Sequence, residues 1–136
     1  MLPDDTHSIL LIDDDPTILF LFTAVARRNG LECVTAADGS TALERIRDGE
    51  YDVIVLDLNL PQVDGREILR MMRHEAPQLL ERTIVVSAAS EELLAELRAT
   101  AGVWRVVRKP VDIRDLEGEV LACLGEQLVR RAAVKE

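Results

Sequence analysis

The chain has 136 residues, the size of one ordinary domain, of which 48% are hydrophobic and 30% are charged. This composition indicates a folded globule and excludes a largely disordered chain. Acidic residues outnumber basic residues by 25 to 16, for a net charge of -9. Such a negative surface disfavours direct binding of nucleic acid and suits a protein that binds cations or docks on basic partners.

The predicted elements alternate along the chain between short apolar runs and helix-like segments. The predicted strands cover residues 8–12, 32–36, 53–56, 83–86 and 104–107. The predicted helices cover residues 16–29, 40–48, 65–75, 91–100 and 113 to about 133. Capping residues support the helix starts, because Asp15 precedes Pro16 at the first helix and Ser90 precedes the fourth.

Five strand–helix units in a row predict a parallel sheet with helices on both faces. The first, third and fourth strands are unbroken apolar runs, typical of strands that are buried on both faces. The second and fifth carry polar residues such as Glu32 and Arg105, which indicates edges. We therefore predict the strand order 2-1-3-4-5 of a flavodoxin-like, doubly wound (βα)5 sandwich with three layers. We expect one domain over residues 1–136, with its core in about 8–124 and a helical extension or linker in 125–136.

The chain shows no sign of a membrane or export segment. Its longest apolar-rich run, from Ile18 to Ala26, is shorter than the roughly 18 residues that a membrane span needs. The first eight residues are acidic and lack the hydrophobic region of a signal peptide. Cys33 and Cys123 match no metal or redox spacing. We therefore expect a soluble, reduced, cytoplasmic protein.

Charged and hydroxyl side chains follow the strands at the carboxyl edge of the predicted sheet, where ligands of this fold bind. Asp13 and Asp14 follow the first strand, and Asp57 follows the third. Ser87 and Lys109 follow the fourth and fifth strands. Three neighbouring carboxylates repel one another by roughly 1–4 kcal/mol per pair, so a cation that prefers oxygen ligands, such as Mg²⁺, would stabilise them. A carboxylate beside a metal ion and an ammonium group can act as a nucleophile towards phosphorus, and this predicts phosphorylation of Asp57.

Four segments resemble the receiver domain of bacterial two-component response regulators. They are ILLIDDDP, VIVLDLNLPQVDG, TIVVSAAS and VVRKP, which stand in the family's order over about residues 8 to 124. The resemblance implies Mg²⁺-dependent phosphoryl transfer from a histidine kinase or phosphotransfer protein to an aspartate in a two-component phosphorelay. The surface of the fourth helix, fifth strand and fifth helix then changes for a downstream effector. The resemblance implies a phosphoacceptor switch that assists its own phosphorylation and dephosphorylation, and not an enzyme.

The resemblance also assigns roles at individual positions. Asp13 and Asp14 help to hold Mg²⁺, with Asp14 as the more direct ligand, and Asp57 is both a ligand and the phosphoacceptor. The backbone carbonyl of Asn59 completes the protein ligands. Ser87 bonds the phosphoryl oxygens.

Lys109 is the last of these positions, and by the resemblance it pairs with the phosphoryl group. The resemblance implies a cis peptide bond between Lys109 and Pro110, which only a proline makes reasonable. One departure is Val106, which stands where the family usually has a tyrosine or phenylalanine. Trp104 is expected on the same strand face by the period of two. It either substitutes for that aromatic ring or covers an edge strand, so signalling is expected to depend on Ser87 and the loop before the fourth helix.

The surfaces predict partners. The first helix has an inward apolar stripe formed by Ile18, Leu21, Phe22 and Val25. Leu19 and Phe20 fall outside this stripe, so they either form a docking patch for the phosphodonor protein or are partly covered by loops. Opposed charges on the fourth helix and fifth strand would permit a homodimer. Neither nucleic acid nor a membrane is expected as a direct partner.

Two other functions compete with this interpretation. An aspartyl-nucleophile phosphatase of the haloacid-dehalogenase type also has an apolar strand that ends in Asp-x-Asp. Here the second acid is replaced by Asn59, the motif follows the third strand, and no cap domain is present. A phosphorylation-independent pseudo-receiver is disfavoured because every site position is retained.

Overall fold

The computed structural model describes residues 6–135. Residues 1–5 and Glu136 lie outside this range, so the predictions for the N-terminal segment and the last residue of the extension fall partly outside the described structure. The strands are β1 (Ser8–Ile12), β2 (Glu32–Ala36), β3 (Val53–Asp57), β4 (Thr83–Ser87) and β5 (Arg105–Arg108). The α-helices are α1 (Pro16–Arg28), α2 (Gly39–Asp48), α3 (Gly65–Glu75), α4 (Glu91–Thr100) and α5 (Ile113–Lys135).

The five strands form one parallel sheet in the order β2-β1-β3-β4-β5, which confirms the predicted topology. Two apolar clusters cover its faces. One joins the sheet to α2, α3 and α4, and the other joins it to α1 and α5. β3 and β4 are buried along their whole length, whereas β2 and β5 have exposed positions, as expected of edge strands. The site therefore rests on strands that are packed on both faces.

Local sequence explains where the helices start. The side chain of Asp15 accepts a hydrogen bond from the Thr17 amide at 2.9 Å and caps α1. Ser90 caps α4 in the same way and accepts from the Leu93 amide at 3.3 Å. These side chains satisfy amide groups that have no partner inside the helix. The predicted caps are confirmed.

Differences from the prediction occur at strand ends and in one connection. β3 and β4 each continue one residue further than predicted, because Asp57 still pairs with Val86 of β4 and Ser87 still pairs with Arg108 of β5. β5 starts one residue later, because the Trp104 amide is shared between the carbonyls of Leu80 and Thr83 at 3.1 and 3.0 Å. A short 3-10 helix over Pro77–Arg82, which was not predicted, connects α3 to β4 and buries Leu80.

The prediction for the buried face of α1 was wrong at two residues, Leu19 and Leu21. Phe22 and Ala26 are buried, and Leu19 is half-buried against the α1/α5 cluster. Leu21, which was assigned to the inward stripe, is 42% exposed, and Phe20 is 75% exposed. The helix therefore packs through Leu19, Phe22 and Ala26, which are spaced three and four residues apart. This stripe is rotated from the predicted one.

The prediction that Trp104 shares a face with Val106 was also wrong. Val106 is buried in the cluster with α2, α3 and α4, whereas Trp104 packs against the α1/α5 cluster. Its indole N–H donates to the Glu126 carboxylate on α5. The period of two fails because Trp104 lies just before the regular strand begins.

No helix among residues 6–135 is both long enough and apolar enough to cross a lipid bilayer. The longest, α5, carries charged side chains along its length.

Candidate functional site

Asp57 lies at the carboxyl end of β3, the central strand of the sheet, and is only 2% exposed. One of its carboxylate oxygens, Oδ2, lies 2.9 Å from Nζ of Lys109. The other, Oδ1, accepts a hydrogen bond from the Asn59 amide at 2.9 Å. The side chain that ends the apolar run is therefore a buried carboxylate with two fixed donors.

Asp13 and Asp14 bring two more carboxylates to this point. Asp13, Asp14 and Asp57 each offer an oxygen atom, and these oxygens lie within 4.8 Å of one another. β1 and β3 are adjacent parallel strands, so the residues that follow them meet at one edge. Asp13 is buried and Asp14 is exposed. The structure confirms that these three predicted residues come together.

The charge of Asp13 is disfavoured in the folded protein. Burial raises the pKa of this carboxyl above its ordinary 3.8, and the nearby charges of Asp57 and Asp14 raise it further. A hydrogen bond from the Asp15 amide at 2.9 Å, together with the charge of Lys109, opposes that rise in pKa only in part. Ionised Asp13 therefore costs stability unless a positive charge binds nearby.

Lys109 supplies the positive charge that the described side chains bring to this site. Burial by itself lowers the pKa of Lys109, but its hydrogen bond with Asp57 and the charges of Asp57, Asp13 and Asp14 outweigh burial, so the pKa is raised. The side chain therefore stays protonated at neutral pH. The peptide bond from Lys109 to Pro110 is cis, as predicted.

Ser87 and Asn59 lie at the edges of the site. Ser87 ends β4, is 1% exposed, and its hydroxyl oxygen accepts a hydrogen bond from the Ala89 amide at 3.1 Å. The Lys109 amide donates to the Ser87 carbonyl at 2.9 Å and so links the ends of β4 and β5. Asn59 is exposed, and its contact with the site runs through its amide.

A cavity of about 310 Å³ opens over these groups and extends between α1 and the start of α5. Asp13, Asp14, Asp57 and Lys109 line its polar side. Ile18, Val111 and Ile113 line its apolar side. The prediction missed this apolar wall, because Ile18 was assigned to the core and residues 110–112 were treated as a connection.

The donor set fits a hard divalent cation. It consists of carboxylate oxygens with no sulfur or imidazole ligand among them, which is the donor chemistry that Mg²⁺ prefers. Three acidic side chains face one lysine, so the site carries an excess of negative charge. Burial, with the charges of Asp57 and Asp14, raises the pKa of Asp13, so a bound cation would favour its ionised form.

Comparison with known proteins identifies the family. Residues 9–121 match the family described as "Response regulator receiver domain". The chain therefore belongs to the response regulator receiver domain family, as its sequence motifs predicted.

A curated relative supports the assignment. The chain is 32% identical over 116 residues to the alkaline phosphatase synthesis transcriptional regulatory protein PhoP of Bacillus subtilis. The match covers 85% of this chain and 48% of PhoP, so the chain spans about half the length of that relative.

Solved structures agree with the fold. A CheY-like response regulator receiver domain from Methanospirillum hungatei JF-1 superposes with a TM-score of 0.82 and 26% identity, covering 93% of this chain and 99% of that one. TrrA of Thermotoga maritima, crystallised in complex with Mg(2+)-BeF, gives a TM-score of 0.69 and 26% identity, with coverages of 86% and 98%.

Proposed function

We propose that this protein is a phosphoacceptor switch of a two-component system, and that Asp57 receives the phosphoryl group. The observation that carries the proposal is the Lys109–Asp57 pair, 2.9 Å apart, inside a cluster of three carboxylates at the end of a buried strand. A buried carboxylate with a fixed cation on one oxygen and like charges nearby is typical of a functional site.

The proposed reaction is a displacement at phosphorus. An oxygen of Asp57 attacks the phosphorus atom of a phosphohistidine on the donor protein. The bond from phosphorus to the imidazole nitrogen breaks, and its electron pair stays on that nitrogen. The product is an acyl phosphate on Asp57, and hydrolysis later restores the carboxylate. We propose that the chain assists both steps without acting as an enzyme on a separate substrate.

Each side chain has a role in this proposal. Lys109 neutralises negative charge on the phosphoryl oxygens, because its ammonium is already held at Asp57. The Ser87 hydroxyl donates to a phosphoryl oxygen. Asp13 and Asp14, with Asp57 and the carbonyl of Asn59, would hold Mg²⁺, which when bound neutralises charge on the carboxylates and phosphoryl oxygens. TrrA, a relative with the same fold, was crystallised with Mg(2+)-BeF, and this supports the metal assignment.

We propose that the phosphodonor, a histidine kinase or phosphotransfer protein, docks on the outer face of α1. Phe20 is 75% exposed there, and a groove beside it is lined by Leu19, Thr23, Ala24, Arg27 and Thr35. A large exposed aromatic side chain beside a groove is typical of a protein-binding surface. Leu19, which is half-buried, contributes to both this groove and the apolar cluster beneath it.

We propose that the surface of α4, β5 and α5 reports phosphorylation to an effector protein or domain. We assign the chain to one receiver domain with its core in about residues 8–124 and a helical extension or linker in residues 125–136. We place it in the cytoplasm, where the free thiols of Cys33 and Cys123 would stay reduced.

The proposal is tested by incubating the protein with acetyl phosphate and Mg²⁺ and measuring its mass. One added phosphoryl group is expected in the native protein, and none is expected in Asp57→Asn or in the presence of a chelator. Calorimetry with beryllofluoride and Mg²⁺ gives an independent measurement of the same site. Absence of both signals would favour a pseudo-receiver, and turnover of an added phosphomonoester would favour a phosphatase.

A further inference from the structure

An ion-pair network lies on the surface beside the acid site. Glu91 is the first residue of α4, and its Oε1 lies 2.6 Å from Nη1 of Arg108, the last residue of β5. Its Oε2 lies 3.8 Å from Nη1 of Arg98, two turns further along α4. Glu91 therefore links the start of α4 to the end of β5.

This link closes a ring around two residues of the proposed site. On the inner side, the Lys109 amide donates to the Ser87 carbonyl at 2.9 Å. On the outer side, Arg108, which precedes Lys109, holds Glu91. Only residues 88–90 separate Ser87 from Glu91. The ring thus carries both the hydroxyl and the ammonium that the proposed function assigns to the phosphoryl group.

The ring constrains the loop of residues 88–90, which contains the hydrogen-bond donor of the Ser87 hydroxyl oxygen. Within it, the Ser87 hydroxyl oxygen accepts from the Ala89 amide at 3.1 Å. If the hydroxyl moves towards a phosphoryl group on Asp57, it keeps this bond only when the 88–90 loop follows it. The Glu91–Arg108 pair resists that motion, because it ties the far end of the loop to β5.

Other routes from the site to the same surface are weaker. Val106 is a short side chain, 5% exposed, and it has no ring that could relocate. Trp104 lies on the opposite face of the sheet and is bonded to Glu126 of α5. The loop between β4 and α4 is therefore the most direct connection from Ser87 to α4.

We infer that Glu91 is a positioning residue, which through Arg108 holds the β4–α4 loop in the arrangement of the unphosphorylated protein. Phosphorylation weakens the Glu91–Arg108 pair and releases the first turn of α4. This inference rests on the proposed function of Asp57. In this inference an exposed ion pair sets the equilibrium between the unphosphorylated and the phosphorylated arrangement.

The test measures the beryllofluoride concentration that half-saturates the protein in the presence of Mg²⁺. Because the pair stabilises only the unphosphorylated arrangement, Glu91→Gln and Arg108→Gln should each lower this concentration about two- to fivefold, the range for an exposed ion pair. Glu92→Gln is the matched control, since it removes the same charge from the same helical turn, and Glu92 has no ion pair within residues 6–135. The control should leave the concentration unchanged.

A double variant makes the test specific. If Glu91 and Arg108 act as one pair, the variant with both changes should shift no further than either single variant. Additive shifts, or equal shifts in Glu91→Gln and Glu92→Gln, would overturn the inference. If the native protein fails to bind beryllofluoride, the proposed function fails. If the native protein binds and the Glu91 and Arg108 variants behave like it, only this inference fails.

Discussion

β3 has a buried aspartate at each end, and the two have opposite surroundings. Asp57 is its last residue and is 2% exposed, whereas Asp52 stands just before its first residue and is 8% exposed. Asp52 accepts from the Ser8 amide at 2.8 Å and lies 2.5 Å from Arg131 and 3.6 Å from His7. Donors therefore surround the carboxylate at the amino end of the sheet.

At the carboxyl end of β3, the aspartate has other carboxylates as well as donors around it. Asp57 lies beside the carboxylates of Asp13 and Asp14, and its donors are Lys109 and the Asn59 amide. A buried carboxylate with sufficient donors stabilises the fold, whereas one crowded by like charges favours the binding of a cation or a chemical modification. The comparison separates an aspartate that stabilises the fold from the one that we propose as the phosphoacceptor, at opposite ends of the same strand.

The largest expected effect comes from exchanging each aspartate for asparagine. Asp57→Asn should abolish phosphorylation by acetyl phosphate completely and change the free energy of unfolding little, because the loss of the Lys109 pair is offset by relief of carboxylate repulsion. Asp52→Asn should leave phosphorylation intact but lower the free energy of unfolding by about 1–3 kcal/mol, since the Arg131 pair is lost. Mass spectrometry and urea unfolding measure the two quantities. A folded Asp52→Asn variant that cannot be phosphorylated would contradict the comparison.

The next effect concerns the cation at each end. Without Mg²⁺, Lys109→Met should lower the free energy of unfolding by about 2 kcal/mol, because Asp57 keeps its charge and loses its partner. Saturating Mg²⁺ should restore most of that loss. Arg131→Met is the control at the other end, where a loss of about 1 kcal/mol is expected. If Mg²⁺ stabilised both variants equally, the positive charge at Asp57 would not be what the metal replaces.

A smaller effect follows from the pKa of Asp13. Burial raises the pKa of this carboxyl in the folded protein, so ionisation costs stability as the pH rises through that range. Asp13→Asn should therefore raise the free energy of unfolding by about 1 kcal/mol at pH 7 without Mg²⁺. The gain should shrink at acidic pH and vanish below the ordinary pKa of 3.8, where Asp13 is protonated in both states.

Urea unfolding at several pH values, with and without Mg²⁺, measures this gain. Excess Mg²⁺ should remove this gain in stability. In the native protein the metal neutralises the Asp13 carboxylate, so the native protein becomes as stable as the variant that lacks it. A gain that is constant from pH 3 to pH 7 would show that electrostatic repulsion is not its cause.

The smallest effect tests backbone strain in the loop beyond Asp57. Gln62 has a φ of 72°, a left-handed conformation that non-glycine residues rarely adopt. Gln62→Gly should raise the free energy of unfolding by about 0.5 kcal/mol, since glycine adopts this conformation without strain. Gln78→Gly, in the 3-10 helix near the amino end of the sheet, should lower it by a similar amount. If both changes destabilised the protein alike, strain at Gln62 would be absent.

Much of the fold could be predicted because its signals are local. Apolar runs, caps and glycines define most strands and helices within one or two residues, and the split between fully apolar and mixed strands is sufficient for the sheet order. The site followed from the same logic, since the carboxyl ends of parallel strands share one edge. Asp13, Asp14 and Asp57 were found in this way.

The errors have a common physical origin in contacts between distant parts of the chain. The rotation of α1 depends on how α5 packs beside it, so the exposure of Leu21 could not be predicted from helical spacing. Trp104 turns to the α5 side because Glu126 and the edge of the sheet hold it there. The Glu91–Arg108 pair joins side chains whose approach depends on the loop between β4 and α4.

The sequence by itself determined the elements, their order and the presence of acids, a hydroxyl and a lysine at the ends of the strands, because these depend on each residue and its near neighbours. Only the tertiary structure decided that the buried Asp52 is surrounded by donors and that the buried Asp57 lies among other carboxylates. Coulomb interactions depend on distances through space, and those distances exist only once the strands and helices have packed together.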